Sequence, residues 1–160
     1  MDAQQLFQFE SLRRIRLGMS IIRVLVVDDF VPWHHFVSYL IDSESDLQIT
    51  SVAYDGLDAI QKAKELQPDL ILMDLSMPGM NGIDATRQIL MHSPRSKVLF
   101  VSEQRDSDLI HAAFEVGACG YALKTDSNSD LLLGIRTVLR GQPFVSCSLT
   151  NWRENPDSRY

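Results

Sequence analysis

Short runs that are apolar almost throughout punctuate this chain, set apart by longer stretches that are apolar on one face only. A run without polar alternation suits a strand buried on both faces of a sheet. The first, Ile21 to Asp28, contains Ile22, Val24, Leu25, Val26 and Val27. Pro32 then fits an early helical position, where its missing N–H costs nothing. From there Trp33, Phe36, Val37, Leu40 and Ile41 fall at helical spacing. A second strand is expected at Leu47 to Ala53. The helix after it begins near Gly56, carries Leu57, Ile60, Ala63 and Leu66, and stops at Pro68 and Asp69. Leu70 to Asp74 is the third strand. Dense turn chemistry at residues 76–82 separates it from a helix with Ile83, Thr86, Ile89 and Leu90. Lys97 to Val101 reads as a strand, Asp108 to Val116 as a helix closed by Gly117, and Gly120 to Leu123 as a fifth strand. Ser129 to Leu139 is the last helix, closed by Gly141. Five strands alternating with five helices imply an α/β, doubly wound domain, a five-stranded parallel sheet with helices on both faces.

The chain's 160 residues suffice for one domain. The organisation expected is an N-terminal extension over 1–18, a folded unit over 19–146 and a polar tail over 147–160. The extension carries Leu6, Phe9, Leu12 and Ile15 at near-helical spacing. It reads either as an added helix or as leader sequence ahead of Met19.

A net charge of −6 argues against a nucleic-acid surface, which needs clustered Lys and Arg. Arg13, Arg14 and Arg16 form only a short patch, expected to be solvated. The spacing of Cys119 and Cys147 matches no zinc or redox motif, and the expected compartment is a reducing cytoplasm. No apolar run approaches the roughly 18–20 residues of a membrane span, and no signal-peptide pattern is present.

Ligands of open parallel α/β sheets bind beyond the carboxyl ends of the strands. Here the first strand ends in Asp28 and Asp29, the third in Asp74, the fourth in Ser102 and the fifth in Lys124. Crowded carboxylates repel, and a divalent cation relieves this. Mg²⁺ favours hard oxygen ligands, carboxylates together with phosphate oxygens. A lysine and a hydroxyl beside them supply a point charge and a donor for a phosphoryl group. Phosphoryl transfer needs mainly positioning and charge neutralisation. Each residue alone has a plainer reading: the aspartates as helix caps, Lys124 as a solvated cation, Ser102 as an ordinary strand-end serine. Their convergence on one edge outweighs it. His34 and His35 invite a metal or phosphohistidine reading, set aside because they sit in the first helix beside Trp33 with no partner expected.

The stretches IRVLVVDD (22–29), PDLILMD (68–74) with MPGMNG (77–82), and GACGYALK (117–124) resemble a bacterial two-component response regulator receiver, over roughly residues 21–141. The resemblance is greatest to receivers of LuxR/NarL/FixJ-type regulators. It implies the flavodoxin-like (βα)5 fold with strand order 2-1-3-4-5. It also implies Mg²⁺ as cofactor, held by Asp28, Asp29, Asp74 and the Ser76 backbone carbonyl, with Asp74 as phosphoacceptor. Lys124 would pair with the phosphate. Ser102 and Tyr121 would form a switch that alters the face made by helix 4, strand 5 and helix 5. The implied partners are a sensor histidine kinase or phosphotransfer protein, an output protein and a second copy in a homodimer, with no direct nucleic-acid or membrane contact. The molecule would be a phosphoryl acceptor rather than an enzyme.

Two departures stand out. Glu103 follows Ser102 where many receivers carry a small residue, and its charge is expected to alter the lifetime of a phosphorylated state. The segment 129–146 resembles receivers that continue into a helix-turn-helix domain, yet no recognition helix follows. The main alternative is a pseudo-receiver that binds partners without phosphate; the complete acidic set argues against it. An aspartate-nucleophile phosphatase would place its nucleophile in an Asp-x-Asp pattern on the first strand. A flavin or dinucleotide protein would need a glycine-rich loop where this chain has Asp-Asp-Phe-Val-Pro.

Overall fold

The computed structural model describes residues 20–149, with Gln5, Gly18 and Asn151. The expectations for the extension and for the end of the tail otherwise lie outside the described residues. In chain order the elements are β1 (Ile22–Val27), α1 (Val31–Asp42), β2 (Leu47–Ala53), α2 (Gly56–Leu66), β3 (Leu70–Met73), α3 (Gly82–His92), β4 (Lys97–Ser102), α4 (Ser107–Glu115), β5 (Gly120–Leu123), α5 (Ser127–Leu139) and β6 (Phe144–Val145). The strand order is β2-β1-β3-β4-β5-β6, and every pairing is parallel.

Because strand side chains alternate between faces, the unbroken apolar runs feed two cores at once. Leu25, Val27, Ile71, Met73, Val98, Phe100, Tyr121 and Leu123 pack with residues of α2, α3 and α4. Val24, Val26, Leu70, Leu72, Leu99, Val101 and Ala122 face the opposite way, against α1 and α5. Three helices begin on side-chain caps: Asp55 accepts from Asp58 N at 2.9 Å, Asn81 from Asp84 N at 2.9 Å and Asp106 from Asp108 N at 2.8 Å. Two lack one: α5 follows Asp126 with no side-chain cap bond, and α1 follows Phe30 with no side-chain cap and with Pro32 in its first turn. Gly117 and Gly141 take positive φ, 113° and 81°, as their helix-closing role requires.

The sheet has one strand more than expected. Two residues are too few to show periodicity, and β6 exists only because β5 offers a template. Phe144 N donates to Cys119 O at 3.2 Å and Ser146 N to Tyr121 O at 3.0 Å. The Phe144 ring fills the space left by Gly134, where an added Cβ would lie 2.9 Å from it. Packing also runs past residue 146, where the tail was expected to begin: Leu149 is buried in the same core as Tyr121. At the other sheet edge Arg136 of α5 donates to both Asp46 oxygens, at 2.6 and 2.7 Å, and so ties α5 to the segment entering β2.

Candidate functional site

The parallel arrangement delivers every strand's carboxyl end to one edge, and there the chain forms an open cleft of about 280 Å³. Asp28, Asp29, Phe30, Asp74, Ser76, Ser102, Glu103, Gln104 and Lys124 line it. The sequence-derived candidates are therefore brought together, Tyr121 excepted, which lies behind the cleft.

Asp28 is fully buried and Asp74 nearly so, whereas Asp29 is exposed. One carboxylate oxygen from each lies within 4.8 Å of the others. Lys124 spans the two buried acids, its Nζ lying 2.6 Å from Asp28 Oδ2 and 3.7 Å from Asp74 Oδ1. The same Nζ lies 5.2 Å from the centre of the Trp33 ring, whose π face favours a cation. Asp28 Oδ1 accepts from Phe30 N at 2.8 Å. Asp28 Oδ2 is buried and makes no well-directed hydrogen bond, so its contact with Lys124 is purely an ion pair.

Burial, then the charge of Asp28, push the Asp74 carboxyl up from its usual 3.8 to about 6; Lys124 and the backbone N–H groups of Leu75 and Ser76 pull it partly back. An acid whose folded pKa is raised loses its proton later in the folded state than in the unfolded one. Stability therefore falls as pH climbs from about 4 to about 6. Two units correspond to about 3 kcal/mol. In chelator, Asp74→Asn is expected to be more stable than wild type by up to that amount at pH 7.5, with the gap closing toward pH 4. Urea melts of both proteins across this range measure it, and parallel curves would refute it.

The donor set suits a divalent cation of the Mg²⁺ type. Asp28, Asp29 and Asp74 would each turn one carboxylate oxygen to such an ion, and these oxygens already lie within 4.8 Å of one another. Buried Asp28 Oδ2, which has no hydrogen bond and only the Lys124 ammonium beside it, is the atom such an ion would share. The exposed Ser76 lies on the rim, on the loop after Asp74. Gly82 makes that loop possible: its N–H donates to Leu75 O at 2.9 Å, and an added Cβ would sit 2.1 Å from the Asp74 carbonyl oxygen.

Ser102, almost wholly buried, accepts from Gln104 N at 3.1 Å. Tyr121 is fully buried, stacks on Phe100 at 6.3 Å and donates its hydroxyl to Gln104 O at 2.9 Å. Burial raises the Tyr121 phenol above its usual 10, and the Ser102 hydroxyl partly opposes this. Gln104 thus joins the two switch candidates, a role nothing in its residue type announces. His34 is the second residue the sequence reading missed. Expected to have no partner, its ring Nε2 lies 2.7 Å from the Asp28 carbonyl oxygen.

Comparison with known proteins gives this geometry its family. Residues 24–136 match the model of the response regulator receiver domain. The chain belongs to that family. Oxygen regulatory protein NreC of Staphylococcus aureus is 35% identical over 130 residues, which are 81% of this chain and 60% of the relative. The receiver thus spans about 60% of that protein's length. A two-component response regulator of the LuxR family from Aurantimonas sp. is 30% identical with a TM-score of 0.77, over 81% of this chain and 93% of the other. The response regulator domain of Thermotoga maritima CheB is 34% identical with a TM-score of 0.71, over 77% of this receiver and 99% of that domain. Among the described residues, no helix is long and apolar enough to cross a membrane.

Proposed function

We propose that this receiver is the phospho-accepting module of a two-component phosphorelay: it takes a phosphoryl group from a histidine kinase or phosphotransfer protein onto Asp74, with Mg²⁺, and alters its protein–protein contacts in response. The observation that carries the reading is the ammonium of Lys124, 2.6 Å from Asp28 and 3.7 Å from Asp74, in a cleft that also presents Asp29. Phosphoryl transfer asks a protein for positioned charge, and this cleft supplies it.

Asp28, Asp29 and Asp74, with the Ser76 carbonyl, would hold the ion. When bound, Mg²⁺ neutralises charge on the oxygens of the transferring group. The Asp74 carboxylate attacks phosphorus; the P–N bond of the donor phosphohistidine breaks as the P–O bond forms, and the imidazole leaves with the electron pair. Lys124 can turn from Asp28 to the new phosphoryl group. Ser102 accepts a hydrogen bond from Gln104 N, and its own hydroxyl hydrogen would turn to a phosphoryl oxygen. A shift of Ser102 then disturbs Gln104, and through its carbonyl Tyr121. The readout surface is the α4–β5–α5 face, which here includes β6. Exposed Glu103 sits on the cleft rim, where its charge would bear on the lifetime of the acyl phosphate. The receiver's partners would be the kinase, an output protein and a second copy, with no direct nucleic-acid contact. Its working place would be the cytoplasm. It would turn over nothing beyond its own phosphorylation and dephosphorylation.

Intact mass after incubation with Mg²⁺ and a small-molecule phosphodonor tests this. Wild type is expected to gain one phosphoryl group, Asp74→Asn none, and wild type in chelator none. No gain with small-molecule or kinase donors would favour a phosphate-independent pseudo-receiver.

A further inference from the structure

The backbone at the junction that carries Asp28 and Asp29 is tied by Asp28 N to Ala53 O and by Trp33 N to Phe30 O, each at 3.0 Å. Phe30, the N-cap of α1, offers no side-chain cap. Asp28 Oδ1 binds Phe30 N at 2.8 Å, a tie that uses one carboxylate oxygen of the acidic pair itself. The tie to the peptide between the two acids comes from within α1, where His34 Nε2 lies 2.7 Å from the Asp28 carbonyl oxygen. A carbonyl only accepts, so Nε2 carries the hydrogen of this bond. His34 is 6% exposed, and Nδ1 is buried with no hydrogen-bond partner. The ring packs on Tyr54, 5.0 Å between centres and tilted by 55°, which fixes where Nε2 points.

An imidazole is a poor choice for this place if filling space were its task. A buried polar atom left unpaired, as Nδ1 is, costs roughly 1–3 kcal/mol, and an apolar ring of similar shape would avoid that cost. What the imidazole adds is the Nε2–H donor, and the sole use of that donor is the Asp28 carbonyl. We infer that His34 is a positioning residue for the acidic pair: by holding the carbonyl between Asp28 and Asp29 it sets the peptide plane that joins them, and so the direction in which Asp29 presents its carboxylate to a divalent cation. Asp29 is exposed and depends on this plane, while Asp28 is locked by burial. The inference rests on the Mg²⁺ reading of the cleft. It gives the histidine a role as support for a ligand rather than as a ligand or phosphohistidine. Groups that orient metal ligands typically change affinity about 10–100-fold when removed.

The test is calorimetric titration of Mg²⁺ alone into the full chain, for wild type, His34→Phe and His34→Gln. Phenylalanine keeps the ring against Tyr54 and removes the donor; glutamine restores an N–H near the place of Nε2. The expected result is Mg²⁺ binding about tenfold weaker in His34→Phe and within about twofold of wild type in His34→Gln, with little change of melting temperature in chelator for either. A space-filling role predicts the reverse, altered melting and unaltered affinity. Wild-type affinity in a folded His34→Phe would overturn the inference and leave the receiver reading standing. A wild type that binds no Mg²⁺ would overturn both. If His34→Phe does not fold, the imidazole Nε2–H resonance of wild type decides: a shift on Mg²⁺ saturation supports the inference, and an unmoved resonance overturns it.

Discussion

Lys124→Ala is expected to melt about 8 °C below wild type at pH 7.5 in chelator, a loss of about 3 kcal/mol. The ammonium faces two buried carboxylates, at 2.6 and 3.7 Å, and is itself only 14% exposed at the side chain. Removing one partner of a buried pair strands the other's charge, and stranded charge rather than the lost attraction dominates the cost. The loss is expected to shrink as pH falls below about 6, because Asp74 is then protonated and has less charge to strand. Saturating Mg²⁺ is expected to restore part of the difference, since it supplies positive charge to the same oxygens. Thermal melts at pH 5 and 7.5, with and without Mg²⁺, check all three statements. A loss that is constant across pH and indifferent to Mg²⁺ would show that the lysine acts through its alkyl stem.

Gly82→Ala is expected to cost about as much, by a different route. The added Cβ would stand 2.1 Å from the Asp74 carbonyl oxygen and 3.0 Å from the Phe100 ring. A backbone carbonyl in a sheet-to-helix loop cannot swing aside as a side-chain tip can, so the N-terminus of α3 must withdraw. That movement breaks the Gly82 N to Leu75 O bond and shifts the loop that carries Ser76. Overpacking of this kind costs about 3 kcal/mol. Unlike Lys124→Ala, the loss is expected to be independent of pH between 5 and 7.5, and Mg²⁺ affinity is expected to fall with it. Urea melts and Mg²⁺ titration on the same preparation separate the two. A variant as stable as wild type would mean that α3 can retreat freely.

Much of this site is written in the chain order. Parallel β–α units deliver all strand ends to one edge, so reading the residue that closes each apolar run collects Asp28, Asp29, Asp74, Ser102 and Lys124 before any contact is known. The long, unbroken runs likewise leave little choice beyond a sheet buried on both faces. Legibility fails where an element depends on a distant partner. No two-residue pattern announces β6, which forms because Cys119 and Tyr121 offer free carbonyls to Phe144 and Ser146. Gln104 looks like a surface loop residue, yet its amide and carbonyl serve Ser102 and Tyr121.

His34 is the sharpest case. The sequence places it in a helix near an acidic pair, at a spacing that carries no hydrogen-bond rule, because a helix links residues three or four apart and this bond reaches back six, out of the helix and across the junction. The sequence by itself determined the fold class, the sheet edge that carries the chemistry and the residue types gathered there, since these follow from hydrophobic periodicity and chain direction. Only the tertiary structure decided which buried oxygen Lys124 neutralises, that Tyr121 lies inside, and which carbonyl His34 holds, since rotamers and long-range hydrogen bonds are settled by packing among segments that the sequence keeps apart.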